Sequence, residues 1–414
     1  MHIALVTHYF PPEVNAPAQR AYDHALAWIA AGHKVTIITA APSHPYGRTY
    51  PGYRNETHEE QVEGIRVLRL RTWHGPNAGR FRRVANYLSF MMAAAGCGRR
   101  LGPVDLVIST SPHFFSGLAG YGLSRARKAP WVLEIRDIWP DSIVAVGAAK
   151  PSPLLTAIAR LARWAYHKSD RIVSVSPGFS EHFSNYGVPP AKVTLAANGV
   201  EVKPLAARTD PAAVPELAAL AGRFIVAYMG TFGMAHGLQT VLDAAELLKD
   251  DPRIGFLLAG SGAERDLLFA RQAERGLTNV VLLDQQPRAR VAELWSAADA
   301  SIVHLKDKPV FETVIPTKLL EGMAMAKPIL LGVRGQAQAI VEAADAGVTF
   351  PPENAPALAD AIVSMAQDPA GSRRLGENGR RYVLANFDRQ RMAETYLEAL
   401  VQTRRDFDAK RRPE

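Results

Sequence analysis

The sequence of 414 residues holds a single cysteine, Cys97, which excludes a disulfide framework and any centre built on several cysteine ligands. A lone thiol fits a reducing compartment. The longest weakly polar run, at 87–98, falls well short of the roughly 20 residues a membrane-spanning helix needs. The opening MHIALVTHYF enters a strand-like run without a basic start or a long apolar core, so no secretory leader is expected. No Asp-x-Asp pair stands at the end of an apolar run, where it could grip Mg²⁺ or Mn²⁺, and no metal site is expected. Tandem repetition is also absent. Acids are in deficit: 40 Asp and Glu stand against 48 Lys and Arg, a net charge of +8. That balance favours an anionic partner. The positive charge is not arranged as a nucleic-acid-binding module, so no nucleic acid is expected.

Hydrophobic residues make up 48% of the chain and charged residues 21%, enough to bury a substantial core. Runs rich in Val, Ile and Leu recur at 2–7, 34–39, 64–70, 105–109, 131–135 and 171–175. They lack polar alternation and read as parallel strands covered on both faces, with helical stretches such as 18–31 between them. A second series alternates strands at 224–229, 254–258, 279–282, 300–303 and 328–331 with helices at 239–248, 264–275, 288–298 and 317–324. Helices at 356–365, 372–385 and 390–403 close the chain. The expected fold class is α/β, two Rossmann-like doubly wound domains facing a cleft. The expected boundaries are 1–203, a Pro- and Ala-rich linker at 204–221, 222–389, and a C-terminal helix and basic tail at 390–414 that can cross back to the first domain.

Ligands of such sheets bind beyond the C-terminal strand ends. Tyr228-Met-Gly-Thr-Phe-Gly-Met-Ala-His-Gly237 leaves a strand and enters a helix. Its glycines at 230, 233 and 237 let the backbone approach a ligand, and the helix N-terminus offers N–H groups to phosphate. A plain strand-to-helix turn reads equally well. In Val314-Ile-Pro-Thr-Lys-Leu-Leu-Glu321, Pro316 or Thr317 starts a helix that puts Lys318 and Glu321 on one face. A lysine there opposes the macrodipole, which suits a bound anion. A carboxylate one turn on can accept both hydroxyls of a ribose. An ordinary surface ion pair is the plainer alternative. Leu258-Ala-Gly-Ser-Gly262, with Gly260, and Leu282-Leu-Asp-Gln-Gln-Pro287, with Gln286, read as ligand-edge loops; the second can meet a base edge through its backbone.

In the first half, Phe10-Pro-Pro-Glu-Val-Asn-Ala-Pro17 places Asn15 and Ala16 before a helix. Glu134, Arg136, Asp137 and Asp141 gather at one strand end, where alternation puts Glu134 and Arg136 on one side and Asp137 on the other. Arg136 cannot serve as a base near neutral pH, whereas Asp137 can orient a hydroxyl. A helix-capping Asp137 paired with Arg136 is the structural alternative. Arg80, Arg82 and Arg83 precede Val84-Ala-Asn-Tyr-Leu-Ser-Phe-Met-Met92. Arginine beside Tyr87 and Phe90 suits an acidic lipid interface, and it also suits a buried helix with a solvated basic end.

Taken together, these segments resemble a family 4 glycosyltransferase of the GT-B architecture. Within it, the chain is most similar to the N-acetylfucosamine-transferase-like branch of surface-polysaccharide synthesis. Tyr9-Phe-Pro-Pro-Glu13, Ala31-Gly-His-Lys-Val-Thr36, Leu133-Glu-Ile-Arg-Asp-Ile-Trp-Pro140, Val173-Ser-Val-Ser176, Asn198-Gly-Val-Glu201, Gly230 to Gly237, Leu258 to Gly262 and Ile315 to Glu321 carry the resemblance in the family's order. It implies a nucleotide-sugar donor, a UDP-sugar by preference, as substrate in the second domain and no cofactor. It further implies a polyprenyl-linked glycan acceptor in the first domain, transfer with retention, and an N-acetylated deoxy sugar as one candidate for the group moved. An anionic membrane surface on the cytoplasmic side is the implied setting.

The resemblance also assigns roles. Glu321 falls where the family's second glutamate holds the ribose. The first glutamate, eight residues earlier, is replaced by Thr313, with Glu312 one residue out of register. The family's Arg and Lys for the diphosphate align with Thr231 and His236, which leaves Lys318 as the cation, aided by His236 when protonated. Asn15 lies in the loop that faces the diphosphate in relatives, and Arg136 and Asp137 match a His-Asp pair near the sugar. The expected catalytic set is Asp137, Arg136 and Lys318. The expected donor set is Asn15, Gly230, Thr231, Gly233, His236, Gly260, Gln286, Thr313, Lys318 and Glu321. Arg80, Arg82, Arg83, Tyr87 and Phe90 form the expected membrane and acceptor set. Two other readings fit the same residues: a nucleotide-sugar 2-epimerase, and a catalytically silent sugar-nucleotide-binding partner of a membrane assembly.

Overall fold

Strand β1 (His2–Val6) is buried along its whole length, as an apolar run without alternation requires when both faces are covered. The computed structural model that contains it describes residues 1–43, 47–73, 80–111, 114–145, 147, 150, 152–201 and 208–411, with backbone alone at 80–83, 114, 288 and 289. The chain forms two units. Unit 1 comprises Met1–Val144, Lys150–Gly199 and the stretch from Arg389 onward, and unit 2 is built on Val200–Asp388.

Unit 1 runs β1, α1 (Ala16–Ala30), β2 (Lys34–Ala40), β3 (His58–Val62), β4 (Ile65–Leu70), α2 (Arg80–Gly96), β5 (Leu106–Thr110), α3 (Phe114–Arg127), β6 (Trp131–Ile135), α4 (Asp141–Ala145), α5 (Pro153–Lys168), β7 (Arg171–Ser174), α6 (Ser180–Asn185) and β8 (Val193–Leu195). The strands make one sheet in the order β3-β4-β2-β1-β5-β6-β7-β8. It is parallel except for the β3–β4 hairpin. The apolar runs do not announce β3: its sequence, HEEQV, is polar because the strand closes the edge of the sheet with no side chain fully buried.

Alternation along β1 sorts the core into two layers. Ile3 and Leu5 pack with Trp28 of α1, whereas Ala4 and Val6 pack with Phe90 and Ala94 of α2 and Leu123 of α3. Helix α1 starts where it does because Asn15 accepts the Ala18 N–H at 2.9 Å and Pro17 sits in the first turn.

Unit 2 runs β9 (Phe224–Met229), α7 (Gln239–Leu247), β10 (Ile254–Ala259), α8 (Arg265–Glu274), β11 (Val280–Leu283), α9 (Arg288–Ala297), β12 (Ala300–His304), α10 (Pro309–Glu312), α11 (Thr317–Ala324), β13 (Ile329–Gly332), α12 (Gln336–Ala344), β14 (Gly347–Thr349), α13 (Ala355–Gln367) and α14 (Pro369–Asn386). Its sheet, β11-β10-β9-β12-β13-β14, is wholly parallel. On one face Val226, Tyr228, Phe256 and Leu258 pack with Val241 and Leu242 of α7 and Leu358 and Ile362 of α13. On the other, Ile225, Ala227 and Leu257 meet Leu294 and Trp295 of α9.

The last helix, α15 (Arg389–Ala409), belongs to unit 1. Trp28 Nε1 donates to the Ala393 carbonyl at 3.3 Å, Tyr396 stands edge-on to Trp28 at 5.2 Å, and Leu400 joins the same layer. Each such side chain contributes about 1.5–3 kcal/mol on burial, so α15 is a structural part of unit 1. Among the described residues no helix is long and apolar enough to cross a membrane.

Candidate functional site

The C-terminal ends of β9, β10 and β11 are laced together by backbone hydrogen bonds. Gly230 N donates to the Ala259 carbonyl at 2.9 Å, Phe232 N to Ser261 at 2.9 Å, and Gly260 N to Leu283 at 3.0 Å. A Cβ at Gly260 would collide with the Gly230 carbonyl oxygen, so only glycine fits this crossing. Gly230, at φ +147°, leaves the space that the end of the Lys318 side chain occupies.

Lys318 stands in the first turn of α11, whose cap, Pro316, offers no side-chain acceptor. The first N–H groups of the helix therefore point a partial positive charge past the same spot. Lys318 Nζ donates to Tyr228 Oη, lies 4.1 Å from the centre of that ring, and sits 3.3 Å from His236 Nδ1. Tyr228 is fully buried and donates its own O–H to the Thr231 carbonyl at 2.7 Å. Loss of water pushes the Lys318 ammonium down to about 7, while Glu321, exposed one turn on, pulls it up. Burial first, and the Lys318 charge second, hold the His236 imidazole well below its ordinary value. His236 is therefore the neutral partner, facing the lysine as an acceptor. The help that a protonated His236 could give is disfavoured in this arrangement, because two cations 3.3 Å apart in a dehydrated corner repel each other.

His304, at the end of β12, fixes this arrangement from behind and was not singled out from the sequence. It is fully buried; its Nδ1 donates to the His236 carbonyl at 2.6 Å, and its Nε2 accepts the Glu353 N–H at 2.9 Å. Those two bonds set one neutral tautomer. Gly237, at φ +53°, and Gly332 leave room for the ring, which stacks on Phe350.

In unit 1, the C-terminal end of β6 carries charge to both sides of the sheet. Glu134, on the α1 side, accepts from Thr110 Oγ1 at 2.8 Å and Arg20 Nε at 3.4 Å, and Arg136 Nε lies 3.9 Å from the same oxygen. Arg20 is further held by the carbonyls of Ala197 at 2.9 Å and Ala196 at 2.8 Å. Burial raises the Glu134 carboxyl, but Arg20 and then Arg136 outweigh it and leave its pKa below the usual range. Asp137 lies on the opposite side and lines a small apolar pocket with Ser111, Leu133, Ile135, Trp139 and Tyr166. Burial pushes its carboxyl up, opposed by hydrogen bonds from the Ser142 hydroxyl and the Ile138 N–H.

Two family models cover most of the chain: a glycosyl transferase 4-like domain matches residues 15–199, and the glycosyl transferases group 1 model matches residues 212–382. The chain belongs to the family 4 glycosyltransferases. WcaI of Escherichia coli (strain K12), named for colanic acid biosynthesis, is 26% identical to the transferase over 341 residues, 78% of this chain and 80% of its own. Sucrose-phosphate synthase of Thermosynechococcus elongatus superposes with a TM-score of 0.78 at 23% identity, over 97% of this chain and 98% of its own. HepE of Anabaena, solved with UDP and glucose, superposes with a TM-score of 0.73 at 17% identity, over 96% and 99%. At these identities the two structures establish the GT-B fold.

The remaining expected residues of the transferase fall as follows. Gly233 packs beside Thr231 and His236. Thr313 Oγ1 donates back to the Val310 carbonyl at 2.7 Å, and the exposed Glu312 presents its backbone to Gly335. Gln286 Nε2 donates to the Asp284 carbonyl at 2.9 Å, while Asn15 caps α1. The side chains of Arg80, Arg82 and Arg83 lie outside the described residues. Tyr87 is half-buried, edge-on to His8 at 5.5 Å. Phe90 is corrected: it is fully buried with Ala4, Val6 and Ile38, so it is a core residue and meets no lipid. Tyr228 and Arg20 are not singled out by the sequence alone. A polar Arg20 and His24 on a helix face otherwise made of Ala21, Ala25 and Trp28 was the available signal for the buried cluster.

Proposed function

We propose that the transferase moves a sugar from a nucleotide-diphosphate donor, a UDP-sugar by preference, to a polyprenyl-linked glycan in surface-polysaccharide assembly, with retention at the anomeric carbon. The observation that carries the reading is Lys318: its hydrogen bonds go to two neutral groups, Tyr228 and His236, at a glycine-lined strand end and a helix N-terminus. A diphosphate supplies the charge this ammonium lacks. The names of two relatives point the same way: HepE was solved with UDP, and WcaI is named for a polysaccharide.

In this reading Glu321 holds the ribose, and Gly230, Thr231, Gly233 and Gly260 frame the phosphates. The bond between the anomeric carbon and the phosphate oxygen breaks while Lys318 and the α11 N–H groups take up the developing charge. Asp137 orients the acceptor hydroxyl, whose proton passes to the departing phosphate oxygen as the new bond forms on the same face. No metal is assigned a step.

An anionic membrane is the proposed setting. Helices α2, α3 and α5 pack in sequence on one another and contain no acidic residue, yet carry Arg125, Arg127, Arg160, Arg163 and Lys168 besides the three arginines that open α2. Met92 is 65% and Leu154 70% exposed on the same helices. Basic and apolar side chains without acids suit an acidic lipid surface.

A thermal-shift panel of nucleotides tests the donor assignment. UDP and UDP-sugars should raise Tm, and Lys318→Ala and Glu321→Ala should abolish the shift. Retention of the full shift in Lys318→Ala would overturn it. Release of epimerised sugar from donor alone would favour an epimerase instead.

A further inference from the structure

Arg136 is the best-buried guanidinium in unit 1 that makes no hydrogen bond among the described residues. Its side chain is 9% exposed, and both Nε and Nη1 are buried without a partner. A guanidinium has five N–H donors, and buried donors are nearly always satisfied. The nearby acids are already committed. Glu134 gives one oxygen to Thr110 and Arg20 and keeps Arg136 at 3.9 Å, beyond hydrogen-bond reach. Asp137 is held on the other side of the sheet by Ser142 and Ile138. His24 is no counter-charge in either protonation state, and burial and then Arg20 keep its imidazole neutral. Arg389 is paired with Asp23 at 3.0 Å.

The position is as telling as the lack of hydrogen bonds to the guanidinium. Arg136 directly follows the last residue of β6, at the ligand edge of a parallel sheet. Its own backbone is pinned, with its N–H donating to Ser111 Oγ at 2.8 Å. A fixed backbone carrying a dehydrated planar cation whose only ion pair among the described residues, to Glu134, is long has donors to spare for a planar or tetrahedral oxyanion, which such a fork can engage two oxygens at a time.

We propose that Arg136 recognises an oxyanion, a carboxylate or a phosphate, carried by the sugar substrate that binds unit 1. This rests on the reading above that unit 1 receives the acceptor. It deepens that reading by making the acceptor an acidic one, whether the charge lies on a sugar ring as a uronate or on a phosphate ester. Arg136 is then a specificity residue.

The test uses the full chain saturated with UDP, so that Lys318 is occupied. Binding of glucuronate, glucose 6-phosphate, glucose and inorganic phosphate is followed by ligand-observed NMR. The proposal expects one or both charged sugars to bind at least about tenfold more tightly than glucose, and Arg136→Gln to remove that preference while Arg136→Lys keeps part of it. Preference for glucuronate alone assigns a uronate, and for glucose 6-phosphate alone a phosphate ester. Equal binding of glucose and both charged sugars by the unmodified protein overturns the proposal, and this arm needs no variant to fold. So does inorganic phosphate binding as tightly as the charged sugars, or an undiminished preference in a folded Arg136→Gln. UDP affinity measured in the same samples separates the two readings: its absence sinks the donor assignment and leaves the Arg136 result to stand or fall by itself.

Discussion

Raising the pH should loosen donor binding by deprotonating one residue. In the unliganded transferase, dehydration leaves Lys318 with a pKa of about 7. Paired with a diphosphate, the ammonium regains a counter-charge and holds its proton well into the alkaline range. Free Lys318 loses its proton as pH rises through about 7, whereas the complex keeps its own, so affinity is greatest below neutrality and falls as pH rises. Once free Lys318 is mostly neutral, the dissociation constant should rise nearly tenfold per pH unit. Between pH 7 and 8.5 the change amounts to roughly 15-fold, or about 1.6 kcal/mol. The assay is isothermal titration of an intact UDP-sugar, whose diphosphate does not itself titrate near neutrality, in two buffers of different ionisation enthalpy. Binding should take up roughly half a proton at pH 7 and approach one near pH 8. Lys318→Met should bind about 10- to 100-fold more weakly at pH 6.5, the worth of a charge-assisted hydrogen bond, and lose most of the pH dependence. A flat profile in the unmodified protein, or an unchanged slope in Lys318→Met, would refute the reasoning.

Glu134→Gln should destabilise unit 1 by about 3 kcal/mol, because it leaves Arg20 and Arg136 buried without their carboxylate; chemical denaturation measures it, and a loss under about 1 kcal/mol would contradict the accounting. Gly260→Ala should cost roughly 1–3 kcal/mol by forcing apart the loops after β9 and β10, and should weaken UDP binding with it; an unchanged melting temperature and UDP affinity would count against the close crossing. Changing Arg80, Arg82 and Arg83 together to Glu should abolish sedimentation with anionic vesicles, whereas unchanged sedimentation would reject the acid-free helices as the lipid face. EDTA should leave transfer intact, and activity lost with EDTA and restored by Mg²⁺ would require a metal role that the proposed mechanism does not give.

The sequence carried the sheets where their strands are buried on both faces. β1, β5 and β6 of unit 1, and β10 and β12 of unit 2, are buried at every position, and β9 at every position but Phe224, so their sequences run with little polar alternation. It did not carry the margins: β3 is polar at an edge, and β8 and β14, with three residues each, are too short to show a pattern. The same division holds in the site. Lys318 was legible because a lysine at a helix start conflicts with the dipole. Its partner Tyr228 was not, because 90 residues separate them and only tertiary packing joins the hydroxyl to the amine. His304 ends a strand that reads as ordinary core, and its role depends on two glycines distant in sequence, Gly237 in a loop and Gly332 at the end of β13. Phe90 misled because an aromatic beside arginines fits a lipid surface and a protein interior equally well; only the three-dimensional neighbours separate them.

Helix α15 sets an order on the making of the molecule. Trp28, His24 and Asp23 near the start of the chain find their partners Ala393, Tyr396 and Arg389 only after every residue of unit 2 has been translated. Domains usually fold in the order in which the ribosome releases them. Here the half that emerges first is finished last, and until then its nascent form exposes Trp28 and the Arg20–Glu134 side of its sheet.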